Sequence, residues 1–143
     1  MKPTIFGIYG YSNTGKTTLI VDIIKHFMQE GLNIATIKIT DKKISIDKEQ
    51  KDTWKYNNAG SNLVVFSSPI ETDFLHFKSL KTDEILKYIN KIGKYDIIII
   101  EGAHDKNIPK IKIGNIKERE NTILTYNGNF KELIKIIKNG INR

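Results

Sequence analysis

A chain of 143 residues with a net charge of +7 and 39% apolar side chains suits one globular domain, with length for a proper core but not for a second. It has no cysteine, which excludes disulfides, thiolate-bound zinc, iron–sulfur clusters and thiol nucleophiles. No segment reaches about eighteen consecutive apolar residues and the start lacks a basic-then-apolar export signal, so a cytoplasmic, soluble protein is expected.

In chain order, Pro3 to Tyr9 is a short apolar and β-branched run ending at Gly10, the pattern of a buried strand. From Thr18 to Met28 the apolar residues fall at 19/20, 23/24 and 27/28, one helical face, and Gly31 stops the helix. Between them Gly10-Tyr11-Ser12-Asn13-Thr14-Gly15-Lys16-Thr17-Thr18 fits the phosphate-binding pattern G-x-x-x-x-G-K-[ST]. Chance alone matches it in roughly one chain per hundred of this length, so the flanking strand and helix decide the matter. Such a loop wraps its N–H groups around a nucleotide β-phosphate at a helix N-terminus. Gly10 and Gly15 supply the torsions, Asn13 tolerates a left-handed conformation, Lys16 neutralises phosphate, and Thr17 is the expected Mg²⁺ ligand.

Asn33 to Ile39 predicts a second strand. Thr40 to Lys51 is polar, with Ile44 and Ile46 suggesting a hairpin or excursion; Lys51 to Ala59 suits a short helix closed by Gly60. Leu63 to Ser67 reads as a third buried strand ended by Pro69, and Ile70 to Ser79 favours an edge strand over a loop. A capped amphipathic helix follows from Thr82 to Ile92, stopped by Gly93. The four isoleucines Ile97 to Ile100 mark a central parallel strand covered on both faces. Short strands at Ile111–Ile113 and Thr122–Tyr126 precede a last helix, Phe130 to Ile137, with Asn129 as its N-cap. Alternating strands and helices imply a three-layer α/β/α fold of the P-loop NTPase class with a mostly parallel central sheet, one domain over residues 1–143.

Ligands in such sheets sit at the carboxyl ends of the strands, which puts Gly10, Lys38, Ser67 and Glu101 on one rim. Glu101, closing the isoleucine strand, is where a carboxylate that orients Mg²⁺ or an attacking water belongs; the competing reading is a charge that merely ends a strand. Asp96 begins that strand, roughly 15 Å away at about 3.3 Å per residue, so it cannot share the metal. His26, His76 and His104 have no metal-binding spacing, and only His104 adjoins the rim. Lys106, Lys110, Lys112 and Lys117 are read as a solvated face, with an anionic cofactor or acidic partner as the alternative. The lysines are spread along the chain rather than gathered with aromatics, and arginine is scarce, which argues against nucleic acid as the partner.

The chain resembles the molybdopterin-guanine dinucleotide biosynthesis adapter family, MobB, along nearly its whole length. The matching features are the loop from Gly10 to Thr18, Ile37-Lys38, Asp47-Lys48 with Lys51-Asp52-Thr53-Trp54, Ala59-Gly60, Val64 to Pro69, Asp96 to Gly102, and Pro109-Lys110-Ile111. It departs where the family continues Ile-Lys-His into a His-rich turn and this chain has Ile39-Thr40-Asp41, and where Gln50 and Asn13 stand for customary glycines. The resemblance implies a GTP-binding protein with weak GTPase activity at most, usually dimeric. It would assist the guanylyltransferase that joins GMP to molybdopterin, or help deliver the cofactor to molybdo- or tungstoenzyme apoproteins. It makes Lys38, Asp47, Lys51 and Asp52 candidates for contacts to nucleotide, metal or a molybdopterin-type second ligand. Guanine preference rests on the resemblance, with ATP as the alternative: no N-K-x-D motif follows the isoleucine strand, and the turn Asn127-Gly128-Asn129 is a candidate for meeting the base. The rival enzyme reading is a small P-loop kinase, which generally needs an arginine-bearing lid; this chain has only Arg119 and Arg143.

Overall fold

The computed structural model describes residues 2–141, so Arg143 lies outside the described residues. The order of elements is β1 (Thr4–Tyr9), α1 (Lys16–Gln29), β2 (Ile34–Lys38), α2 (Asp52–Asn58), β3 (Leu63–Ser67), β4 (Thr72–His76), α3 (Thr82–Ile92), β5 (Ile97–Glu101), β6 (Lys110–Lys112), β7 (Thr122–Thr125) and α4 (Phe130–Gly140). They group into two compact units, the smaller spanning residues 41–84 and the larger the rest of the chain.

The larger unit carries a sheet in the order β2-β5-β1-β6-β7, with every neighbouring pair parallel. The isoleucine run explains its three layers, because successive side chains of a strand point to opposite faces. Ile97 and Ile99 pack with Leu19, Ile23 and Phe27 of α1 and Leu133 and Ile137 of α4. Ile98 and Ile100 pack on the other side with Leu86 and Ile89 of α3. Covering both faces buries all four isoleucines, which is what makes β5 a near-continuous apolar strand. The α/β class and the parallel sheet expected from the alternation are present.

The smaller unit differs from expectation. Leu63 to Ser67 is no strand of the parallel sheet: β3 pairs antiparallel with β4, from Leu63 opposite His76 to Ser67 opposite Thr72, in a separate two-stranded sheet. Within β3 only Val64 is buried, while Leu63, Val65 and Phe66 are exposed. Ser67 therefore does not end a strand of the parallel sheet. The Ile44–Ile46 stretch forms no strand, and both isoleucines are exposed. Composition alone cannot tell a covered strand from an uncovered hairpin. The edge strand near Phe74 and the helix closed by Gly60 are present as β4 and α2. Gln50 holds a left-handed φ of 71°, the conformation that suits the glycine it replaces.

Candidate functional site

At the carboxyl end of β1, Gly10 opens the phosphate-loop turn where no side chain fits: a Cβ there would lie 2.6 Å from the carbonyl oxygen of Ile113. Asn13 adopts φ 61°, and Thr14 Oγ1 donates to the Tyr11 carbonyl at 2.7 Å, tightening the loop. Gly15 is the N-cap of the 14-residue α1, with no side-chain cap and no acidic residue in the first turn. The first N–H groups of α1 and its dipole are thus left to an anion. Lys16 Nζ donates to the Gly10 carbonyl at 2.9 Å, held across the mouth of the loop. Ser12, Asn13, Thr17 and Thr18 are exposed there.

The parallel register sets Glu101 between the other two rim residues: it aligns with Ile8 of β1 and with Lys38 of β2. Lys38 Nζ lies 3.6 Å from Glu101 Oε2, the lysine side chain 76% exposed and the glutamate 15%. Immediately after Glu101 the chain must turn beneath β2, and Gly102, at φ 80°, is the residue that can: a Cβ would meet the Ile39 carbonyl oxygen at 2.5 Å. Asp96, at the opposite end of β5, accepts from Asn33 N at 2.7 Å, away from the rim.

Asp47, Lys51 and Asp52 belong to the smaller unit. Asp47 Oδ1 accepts from Thr53 Oγ1 at 2.9 Å and from Lys48 N at 3.0 Å. Lys51 is the N-cap residue of α2 and Asp52 its first residue, both exposed. All three line a trough of about 1240 Å³ walled by α2 and the β3–β4 pair.

Three residues that brace the rim were not picked out by sequence as a group. Arg119 lays its guanidinium 4.6 Å from the Tyr9 ring centroid and donates through Nη1 to the Ala103 carbonyl at 2.9 Å. Thr122 Oγ1 gives its one proton to the Arg119 carbonyl at 2.6 Å, so the Tyr9 hydroxyl donates to Thr122 Oγ1 and accepts from Arg119 N at 3.0 Å. The residues just before Gly10 and just after Gly102 are thereby tied together through the Arg119 side chain.

Lys110 corrects the expectation of a solvated face. It is fully buried, and its ammonium donates to the carbonyls of Asp105, of Ile108 at 2.8 Å and of Glu120 at 2.8 Å. Burial chiefly lowers its pKa below the usual lysine value, with Arg119 adding to the effect and Asp105 and Glu120 opposing it. Gly7, a glycine inside an apolar strand, sits opposite Lys110, but what its missing Cβ makes room for is Ala103, whose Cβ would lie 2.7 Å away.

In the Asn127–Asn129 turn, Asn129 Oδ1 caps α4 by accepting from Glu132 N at 3.1 Å, and Asn127 Oδ1 accepts from Asn129 N at 2.9 Å. Both side-chain oxygens are engaged locally. His26 stands 3.2 Å from Glu30, which Lys138 also contacts, on the α1–α4 side.

A family model described as Molybdopterin guanine dinucleotide synthesis protein B matches residues 5–139. A Methanocaldococcus jannaschii protein is 31% identical over 147 residues, covering 93% of this chain and 60% of its own length. The molybdopterin-guanine dinucleotide biosynthesis adapter protein of Haemophilus influenzae is 29% identical, covering 75% and 61%. This chain thus spans about three-fifths of the length of the curated relatives it matches. The crystal structure of Bacillus subtilis MobB superposes with a TM-score of 0.70 at 22% identity, covering 85% of this chain and 76% of that one. A MobB homologue from Bacillus stearothermophilus gives 0.65 at 15%, covering 96% and 97%. At these identities the superpositions establish the fold.

Proposed function

The chain belongs to the molybdopterin guanine dinucleotide synthesis protein B family, and from that premise we propose that it is a GTP-binding adapter in molybdopterin guanine dinucleotide biosynthesis. The observation that carries the reading is the shared rim: a phosphate loop with Lys16 across its mouth, and Glu101 one strand away in register with Ile8. Gly10 and Ser12 to Thr18 receive the phosphates through backbone N–H groups, and Lys16 exchanges the Gly10 carbonyl for phosphate oxygens. The donor set fits Mg²⁺, which binds through few protein oxygens plus substrate phosphates: the Thr17 hydroxyl is exposed at the first turn of α1 and Glu101 is the carboxylate of the rim. Lys38 neutralises Glu101 until a cation is present. Bound Mg²⁺ supplies charge neutralisation of the phosphates.

Arg119 is bound to Tyr9 and Ala103 and offers no lid to a transferred phosphoryl group, so a kinase is disfavoured and hydrolysis, if it occurs, is slow. The partner is the guanylyltransferase of the pathway, and the adapter acts as a homodimer in the cytoplasm. Asp47, Lys51 and Asp52, on the smaller unit, are assigned to a second, molybdopterin-type ligand. Mg²⁺-dependent titration with GTP, ATP and both diphosphates tests this reading. Guanine triphosphate is expected to bind most tightly, with retention of the guanylyltransferase on immobilised adapter; equal binding of ATP removes the guanine preference, and no triphosphate binding removes the reading itself.

A further inference from the structure

Just past Glu101 the chain has no slack. Gly102 turns at φ 80°, its N–H donating to the Ile8 carbonyl at 2.9 Å. The next residue, Ala103, is 1% exposed and wedged onto β1: a Cβ on Gly7 would lie 2.7 Å from its own Cβ. The Ala103 carbonyl is the acceptor of Arg119 Nη1 at 2.9 Å. The same guanidinium lies 4.6 Å from the ring centroid of the buried Tyr9, the residue before Gly10. One side chain thus spans the segment after the rim carboxylate and the segment before the phosphate loop.

Arg119 is itself fixed on several sides. Its N–H donates to the Tyr9 hydroxyl at 3.0 Å, its carbonyl accepts from Thr122 Oγ1 at 2.6 Å, and the carbonyl of the following Glu120 accepts from the buried Lys110 ammonium at 2.8 Å. A side chain leaving so constrained a backbone acts as a strut. Only arginine fills this position, because a planar guanidinium can lie against an aromatic ring while a fixed N–H reaches a carbonyl, which the point charge of lysine does not reproduce.

The strut sits where the two rim strands part. Up to Ile8 and Gly102 they are joined by backbone hydrogen bonds; beyond, one chain enters the phosphate loop at Gly10 and the other turns beneath β2, where Ile39 N donates to the Glu101 carbonyl at 3.0 Å. Lys38, its side chain 76% exposed and 3.6 Å from Glu101 Oε2, is too mobile an ion partner to aim the carboxylate. Aim matters because Mg²⁺ tolerates little displacement of its ligands, and groups that orient those ligands govern metal affinity.

We infer that Arg119 is a positioning residue for Glu101: by clamping Ala103 against Tyr9 it holds the rim carboxylate at a fixed distance from the phosphate loop, and so sets the Mg²⁺-dependent part of triphosphate affinity without touching the phosphates. This inference rests on the nucleotide reading above.

The test measures binding of non-hydrolysable GTP and ATP analogues to the full chain in Mg²⁺ and in EDTA, side by side so that base preference does not enter. In Arg119→Met the gain in affinity on adding Mg²⁺ should shrink about ten-fold, as loss of a group that orients a metal ligand does, while affinity in EDTA stays unchanged. In a Glu101→Gln background the Arg119→Met change should add no further loss, the non-additivity expected of residues acting through one another. Arg119→Lys should fail to rescue; it also serves where Arg119→Met does not fold, with Tyr9→Phe, which keeps the ring but drops the phenol bonds, losing less. Without nucleotide or metal, amide exchange at residues 102–104 should quicken in the variants and that of α1 should not. The inference is overturned if affinity falls equally in EDTA, as direct contact between Arg119 and phosphate requires, if the loss persists in Glu101→Gln, or if exchange at residues 102–104 is unchanged. Wild type that binds no triphosphate removes the nucleotide reading and this inference together, whereas wild type that binds equally with and without Mg²⁺ removes this inference alone.

Discussion

The larger unit and the insertion of residues 41–84 spend similar apolar side chains in opposite ways. In the first, Ile97 to Ile100 are all buried between helices on both faces of a parallel sheet. In the second, Leu63, Val65 and Phe66 stand exposed on a two-stranded ribbon, a form that by itself is marginally stable in water. The first arrangement stabilises the fold and fixes the rim on which Gly10, Lys38 and Glu101 sit. The contrast teaches that the covered core and the exposed apolar ribbon lie in different segments of one short chain.

Truncations across that divide should separate most clearly. Ile99→Ala removes a side chain 1% exposed and is expected to cost about 2–5 kcal/mol in urea unfolding, whereas Val65→Ala should cost less than about 1 kcal/mol. Equal costs would mean that the ribbon has a hidden core and would break the comparison.

Next in size is Lys110→Met. Three backbone carbonyls lose their donor, each worth about 1–3 kcal/mol when stranded, offset in part by no longer burying an ammonium; a net loss of about 2–4 kcal/mol is expected. Because burial lowers the pKa of Lys110 below 10.5, the folded protein sheds this proton before the unfolded chain does. The wild-type advantage over Lys110→Met should therefore grow as the pH rises through the lowered pKa toward 10.5.

Gln50→Gly sharpens the comparison from the other side. It relieves the positive φ of 71° and should stabilise the insertion by up to about 1 kcal/mol, reduced by the entropy glycine loses on folding. Thermal melting would register the opposite sign if the glutamine side chain made a compensating contact.

The smallest effect belongs to the surface cluster of Lys138, Glu30 and His26. The Lys138 hydrogen bond holds the Glu30 carboxyl below its ordinary 4.5. That contribution is present above 4.5 and is lost as the pH falls through the lowered value, so the difference between wild type and Lys138→Met, at the edge of what a melt detects, should close in acid. A difference that widened in acid would contradict the sign.

Much of the larger unit was legible in the residues. The phosphate loop needs particular residue types at fixed spacing, and periods of two and 3.6 placed β1, α1, β5 and α4 correctly because those elements bury one face or both. The caps at Asn129 and Gly31 were readable from local chemistry. What sequence misplaced was long-range pairing. Leu63 to Ser67 has the composition of a core strand, and only tertiary structure decides whether a helix covers it. Lys110 escapes composition for a related reason: a lysine goes inside only where carbonyls accept its ammonium, and those of Asp105, Ile108 and Glu120, though near in sequence, converge on it only once the loops around β6 fold.

The central claim is that the rim of the larger unit reads a nucleoside triphosphate through Lys16. Mg²⁺-dependent triphosphate binding should fall about ten- to hundred-fold in Lys16→Ala, the loss of charge-assisted hydrogen bonds to phosphate, with Tm unchanged. Undiminished affinity in that variant would contradict it.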